Sequence, residues 1–227
     1  MAPARRSRAT SCIRRGIRVS SRWTPPPARP ETSGMEFDRT TLLRAFDELG
    51  RAAWAEGATV EIAVYGGSAL MLVFDWRVAT KDVDGVFEND RDLIRRLATD
   101  IARTRGWPAD WLNDGVKGFL SARDQEAGMQ VLSGEFPSGD MPGLRVFIPR
   151  PEYLFAMKCR AMRIGGVDEN RDIEDIRRLA VELGLTSADE ALALVASFYP
   201  RAQLQPKVQF GLEEIFSRPP TDNREEP

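Results

Sequence analysis

The sequence predicts an α+β fold in which a few short strands are set among amphipathic helices and the last third of the chain is helical. Two observations predict it. Apolar residues alternate with period two at Val60, Ile62 and Val64 and again at Leu144, Val146 and Ile148, as in strands with one buried face. Before, between and after these strands the apolar spacing becomes helical, at Leu42 to Ala53, Leu93 to Ile101, Leu154 to Met162 and Ile173 to Leu183.

Taken in order, Asp38 caps a helix whose stripe is Leu42, Phe46, Leu49 and Ala53, ending near Gly57. The strand from Val60 stops at Gly66-Gly67, and Ser68 to Leu72 opens a short helix. Val78 to Phe87 returns as a strand, so that Asp82 and Asp84 share one face while Val83 and Phe87 share the other. Asp90 caps a second long helix carrying Leu93, Ile94, Leu97 and Ile101, which ends at Gly106, and the Arg95, Arg96, Asp100 and Arg103 charges form its solvated face. Residues 107–120, WPADWLNDGVKGFL, concentrate two tryptophans with Asn113, Asp114 and Lys117. Two readings stay open for them: an acceptor or base-stacking loop, or a loop anchored by tryptophan beneath a helix.

The strand at 144–148 ends at Pro149, and Pro151 opens a helix at the first position, where its missing N–H costs nothing. Helices follow over 151–163, along the 173–183 stripe, over 188–198 behind Thr186 and Ser187, and over 206–216. No internal repeat is present. The organisation expected is one domain over 35–217, flanked by a basic extension, 1–34, and a polar tail, 218–227, both read as disordered.

Composition sets limits on the chemistry. Across 227 residues, 42% are hydrophobic and 29% charged, which suits one globular domain with a sizeable core. No apolar run approaches the ~20 residues of a membrane span. Cys12 and Cys159 stand far apart, so a reducing, cytoplasmic setting is expected rather than a disulfide framework. The chain contains no histidine, which removes Ser-His-Asp and Cys-His nucleophilic schemes, histidine bases and ordinary zinc sites. Carboxylate, lysine and hydroxyl chemistry remains.

Residues 1–34 hold eight arginines and one acid, Glu31, whereas 35–227 hold 24 basic residues against 33 acidic ones, a net of −9. The extension is read as translation upstream of a true start at Met35, with a transit peptide and a nucleic-acid-binding arm as the other readings.

Two features carry the chemistry. Gly66, Gly67 and Ser68 fall at a helix N-terminus, where free N–H groups and the helix dipole favour an anion such as a phosphate. Asp82 and Asp84 on one strand face suit magnesium, with manganese as an alternative, since magnesium takes oxygen ligands and is typically held by one or two carboxylates plus substrate phosphates. Each feature alone has an ordinary structural reading, as a common turn or a solvated strand face. On 100° per residue, Lys158 falls inside the apolar stripe of its helix and Asp172 inside that of the next, with Asp175 at its edge. Buried charges are paired or ligated, so these are either a structural ion pair or a second half of the site.

The glycine-serine turn followed fourteen residues after Ser68 by Asp82-x-Asp84 resembles the signature of the polymerase-β-like nucleotidyltransferase superfamily. GGSAL, the T-x-D-V-D strand, the W-L-N-D-x-V-K-G-F loop and the P-E-Y-L-x-A-M-K helix together resemble bacterial nucleotidyltransferases related to abortive-infection toxins of toxin-antitoxin systems, over roughly residues 37 to 216. The resemblance implies a polymerase-β-like fold, a small mixed sheet flanked by helices with a C-terminal helical part.

It also implies an enzyme that moves a nucleotidyl group from an NTP to an acceptor hydroxyl, for which the toxin relatives suggest the 3′ end of a tRNA, with a cognate antitoxin as a further partner. Gly66, Gly67 and Ser68 would hold phosphates, Asp82 and Asp84 the metal, Lys158 the triphosphate charge, and Asp172 a metal or the attacking hydroxyl. Arg77, Asn113, Lys117 and Asp175 are further candidates. The superfamily's third carboxylate, expected on a later strand, is missing, because the 144–148 strand offers only Arg145 and, nearby, Arg150. Toxin-like relatives place a lysine and an aspartate on downstream helices, which favours Lys158 and Asp172 as the replacement. Transfer to a small molecule or a protein, and nucleotide binding without turnover, are the alternatives. Arg77, Lys117, Arg145 and Arg150 are expected to form a basic rim.

Overall fold

A computed structural model describes residues 36–163 and 169–217. The expected disorder of 1–34 and 218–227 lies outside them. The described chain is a five-stranded mixed sheet with seven α-helices packed about it. Helix α1 (Arg39–Ala55) starts where the Asp38 carboxylate accepts from the Thr41 N–H at 2.7 Å, and its expected stripe, Leu42, Phe46, Leu49 and Ala53, is fully buried. Strand β1 (Val60–Val64) follows and leads directly into α2 (Gly66–Val73).

Strand β2 (Val83–Phe87) is shorter than the Val78 to Phe87 expected. It pairs antiparallel with β1, Ile62 opposite Phe87 and Val64 opposite Gly85. Beyond Val64 the partner chain has already turned into α2, so residues before Val83 have no β1 residue to pair with; Thr80 instead bridges Phe37. Helix α3 (Arg91–Arg105) is capped by Asp90 and closed by Gly106 in the left-handed region, as the sequence indicates. Strand β3 (Leu112–Asn113) runs parallel to β2 in the loop that follows.

Strands β4 (Gln130–Phe136) and β5 (Leu144–Pro149) form an antiparallel pair, and β5 lies parallel to β1 with Val60 opposite Leu144. The sheet order is β3-β2-β1-β5-β4, which puts β1 at the centre. Helices α4 (Pro151–Ala161), α5 (Glu169–Glu182), α6 (Ala188–Phe198) and α7 (Pro206–Ser217) complete the chain. At α6 the Ser187 hydroxyl accepts from the Glu190 N–H while Glu190 reaches back to the Thr186 N–H, a reciprocal capping box one residue out of its usual frame. Among the described residues no helix is long and apolar enough to cross a membrane.

The register decides where chemistry can be built. β1 and β5 both finish, and β2 and β3 both begin, at one end of the sheet. The turn into α2, the start of β2 and the helix after β5 therefore converge there, and because β3 is only two residues long the loop that follows it reaches the same place.

Candidate active site

At this end of the sheet the chain leaves β1 at Tyr65 and turns through Gly66, which takes a φ of +63° that a side chain would resist. Space adds a second reason for glycine. A Cβ on Gly66 would stand 2.7 Å from Asp84 Oδ2, and one on Gly67 would stand 2.9 Å from Thr80 Oγ1 and 3.0 Å from the Arg77 guanidinium. Side chains of the facing loop and strand thus press against a bare backbone whose first N–H groups have no partner within the helix. Gly66→Ala is expected to lower affinity for inorganic tripolyphosphate at least tenfold and to cost roughly 1–3 kcal/mol, the scale of a strained left-handed residue; titration calorimetry and thermal melts check it.

Asp82 immediately precedes β2 and Asp84 is its second residue, so both face the same cavity. Asn113, at the end of β3, donates from Nδ2 to Asp82 Oδ2 at 3.3 Å, and its own Oδ1 accepts from the Gly115 N–H at 2.8 Å, which orients the amide. Burial raises the Asp82 carboxyl above its usual range. Asp84 is pushed up to about 6, first by burial and then by the charge of Asp82, against which the Lys158 and Arg163 charges count for less. Two neighbouring carboxylates short of positive charge form a hard-oxygen donor set of the kind magnesium takes. Among the described residues no cluster of three or more His, Cys, Asp or Glu side chains forms, so a cation here would draw its remaining ligands from substrate and water.

Helices α4 and α5 supply the other charged wall. Lys158 Nζ lies 2.8 Å from Asp175 Oδ2 and 3.3 Å from Asp172 Oδ1. Arg77 reaches Asp175 Oδ1 at 2.8 Å, and Arg163 Nε donates to Asp172 Oδ2 at 2.9 Å. For Asp172 burial pushes upward, but the Arg163 hydrogen bond and the Lys158 and Arg163 charges together outweigh it and hold the carboxyl below its usual range. Asp172 is thus an ionised, doubly paired group. Asp175, which the sequence puts at the edge of the site, is the more deeply buried acid and has the shorter contact to Lys158. The reason is helical: residues 172, 175, 176 and 179 fall on one face, so both acids point at α4.

Together these elements enclose a cavity of about 520 Å³. Gly66, Gly67, Arg77, Thr80, Asp82 and Asp84 contribute to its wall, as do Lys158, Arg163, Arg171 and Asp172. Val116 and Phe119, from a 3-10 turn at Gly115–Phe119, join Leu154, Met157 and Ala161 of α4 in an apolar stretch. No protein-family profile and no curated protein matches the chain. A crystal structure of an antigenic nucleotidyltransferase-like protein from Paracoccidioides brasiliensis matches it with a TM-score of 0.41 at 15% identity, over 81% of this chain and all of that one.

Most of the residues singled out by sequence meet here, with some differences. The Ser68 hydroxyl donates to the Tyr65 carbonyl at 2.9 Å and is buried away from the cavity, so Ser68 offers a phosphate only its backbone. Lys117 turns to Asp114 and lies off the cavity wall. Arg145 pairs with Glu61 and Glu135, opposite Glu61 in the register and so toward the other end of the sheet, and Arg150 turns to the Met129 sulfur. Of the expected basic rim only Arg77 lines the cavity; Lys81, Arg163 and Arg171 take the place of the others. Sequence reasoning passed over these three, although Lys81 and Arg171 directly precede Asp82 and Asp172. It also passed over Gly115, whose Cβ would crowd Asn113 Oδ1 at 2.9 Å. In the 107–120 segment the tryptophans anchor the chain, as the second of its readings expects. Trp111 is buried, donates to the Ala98 carbonyl at 2.9 Å and packs on Phe37 and Trp107, while the far end of the segment forms cavity wall.

Proposed function

We propose that this chain is a magnesium- or manganese-dependent nucleotidyltransferase that moves an NMP from an NTP to an acceptor hydroxyl and releases pyrophosphate. The observation that carries the proposal is the convergence of a glycine-lined helix N-terminus, two carboxylates of raised pKa and the partly buried Lys158 in one cavity. The Gly66 and Gly67 backbone, backed by the dipole of α2, takes the β and γ phosphates. Arg77 and Lys158 line the same cavity and add positive charge beside them.

Asp82 and Asp84 would hold the metal, which when bound supplies charge neutralisation at the phosphate oxygens. Asn113 fixes the direction of Asp82. Asp172 and Asp175 act on Lys158, holding its ammonium at the wall, rather than on the acceptor. The acceptor hydroxyl oxygen bonds to the α-phosphorus as the bond to the bridging oxygen breaks, the electron pair leaving with pyrophosphate and the hydroxyl proton passing to water. Positioning and electrostatics carry such a transfer, and no covalent intermediate on a side chain is needed.

The end of a tRNA as acceptor, a toxin role and a cognate antitoxin are supported by the sequence resemblance alone, as is a cytoplasmic place of action by the cysteine count. A second acceptor reading, a protein or small-molecule hydroxyl, is favoured by charge: residues 35–227 carry a net −9, and Arg145 and Lys117 are engaged by neighbouring acids. Incubation with each α-labelled NTP, magnesium and either total RNA or cell lysate tests both. Label on RNA supports the first, label on protein or a small product the second. Nucleotide binding with no label transferred overturns the enzymatic reading in favour of a non-catalytic nucleotide-binding protein.

A further inference from the structure

Phe119 is 39% exposed, yet the backbone at its position is clamped. Its carbonyl accepts from the Tyr199 hydroxyl at 2.7 Å, and the Leu120 carbonyl accepts from Arg160 at 3.4 Å. One residue on, the buried Ser121 donates from its N–H to the Tyr153 hydroxyl at 2.7 Å and from its own hydroxyl to the Phe198 carbonyl at 2.5 Å. Arg160 in turn lies over the Tyr199 ring, 4.7 Å from its centroid. An aromatic side chain is therefore left open to the cavity while its main chain is tied to α4 and to the end of α6. Val116 and Met157, both buried, line the same stretch of wall.

We propose that Phe119, with Val116 and Met157, is the platform on which the donor nucleotide's base stacks, and that Tyr199 is the positioning residue that holds it. The inference rests on the nucleotide reading above and adds which wall takes the base. Spacing supports it. The 3-10 turn begins at Gly115, whose Cβ would lie 4.0 Å from Asp84 Oδ1. Phe119 is four residues further along, roughly 8 Å at about 2 Å per residue, a separation of the order that a ribose puts between a nucleotide's α-phosphate and its base. An apolar wall offers a base its faces rather than partners for its edges, and stacking of that kind is tolerant of which base is bound.

Titration calorimetry of the full chain with magnesium separates the parts of the ligand by comparing inorganic tripolyphosphate with each NTP. Wild-type protein is expected to bind NTP about 5- to 150-fold more tightly than tripolyphosphate, the range set by one stacked base. Phe119→Ala is expected to remove that gain and leave tripolyphosphate binding unchanged, and Phe119→Trp to keep it. Tyr199→Phe, which retains the ring and loses only the hydroxyl on the Phe119 carbonyl, is expected to lose part of the gain and nothing of tripolyphosphate binding.

An NTP gain that survives Phe119→Ala overturns the proposal, as does a change confined to the KM of the acceptor, which would make the wall an acceptor site. Loss of the gain in Phe119→Trp also overturns it, and covers the case in which the alanine variant fails to fold. Tripolyphosphate binding with no gain for NTP in the wild type removes the platform alone, whereas binding of neither ligand removes the nucleotide reading itself.

Discussion

Asp84→Asn is expected to abolish nucleotidyl transfer and at the same time to stabilise the metal-free protein. Loss of one of the two carboxylates proposed to hold the metal would remove several kcal/mol of charge stabilisation, roughly a thousandfold or more in rate. The stability effect has the opposite sign because the Asp84 carboxyl, pushed up to about 6 from 3.8 by burial and by Asp82, is a strained charge in the folded chain. Over the interval between those two values the native state binds the proton more strongly than the unfolded chain does. The wild type therefore loses stability from this group as pH rises through that interval, and the loss is complete above pH 6 or so.

The rise from 3.8 to about 6, at about 1.4 kcal/mol for each tenfold in proton affinity, sets an upper bound near 3 kcal/mol, and water at the cavity mouth reduces it to about 1–2 kcal/mol. For a domain of this size that is a rise of roughly 2 to 8 °C in Tm at pH 7.5, shrinking toward zero near pH 4. Magnesium is expected to raise the Tm of the wild type and to leave that of Asp84→Asn almost unmoved. A variant that keeps magnesium-dependent transfer, or that melts below the wild type at pH 7.5, refutes the role given to Asp84.

How far the site was legible depended on whether its residues broke a pattern. Gly66-Gly67 interrupts an alternating strand, Asp82 and Asp84 alternate around Val83, and Lys158 and Asp172 fall within apolar stripes; each is an anomaly against a regular background, and each lines the cavity. Asp175 falls on the same face of α5 as Asp172, so the register that exposed the one also contained the other. Arg163 and Arg171 break nothing, since an arginine next to a helix end or on its flank is ordinary, and only the convergence of α4 with α5 gives them a place.

The fold follows the same rule. β5 alternates because only one of its faces is deeply buried, whereas β4 is an edge strand with Val131 and Leu132 exposed and a register shift between Leu132 and Gly134. It therefore shows no period to read. The direction of the Ser68 hydroxyl was not legible for a different reason. Sequence locates a hydroxyl at a helix N-terminus but cannot set its rotamer, and here the rotamer turns it to the Tyr65 carbonyl.

The charge cluster between α4 and α5 gives the second large effect, and the order of its partners separates scaffold from site. Asp175 is buried and contacts both Arg77 and Lys158, so Asp175→Leu leaves two cations beside an apolar residue, with Lys158 keeping only its longer contact to Asp172. Breaking a buried pair on one side costs about 3–5 kcal/mol, and the Tm is expected to fall by roughly 6 °C or more. Lys158→Met is a different case. It leaves Asp175 with Arg77 and Asp172 with Arg163, so each acid retains a cation, and the expected cost is about 1–2 kcal/mol. Transfer is nonetheless expected to fall about a hundredfold or more, chiefly through weaker triphosphate binding, since the ammonium is a lining charge of the cavity.

Lys158→Met combined with Asp172→Leu leaves Arg163 as the group deprived of Asp172, and that side chain is 59% exposed and can be solvated, so the double variant is expected to fold about as well as Lys158→Met and to remain inactive. Denaturation midpoints and nucleotide incorporation for the three variants give the answer. Were the cluster a scaffold only, Lys158→Met would destabilise as much as Asp175→Leu while both kept turnover in their folded fraction, and an active double variant would take Lys158 out of the site.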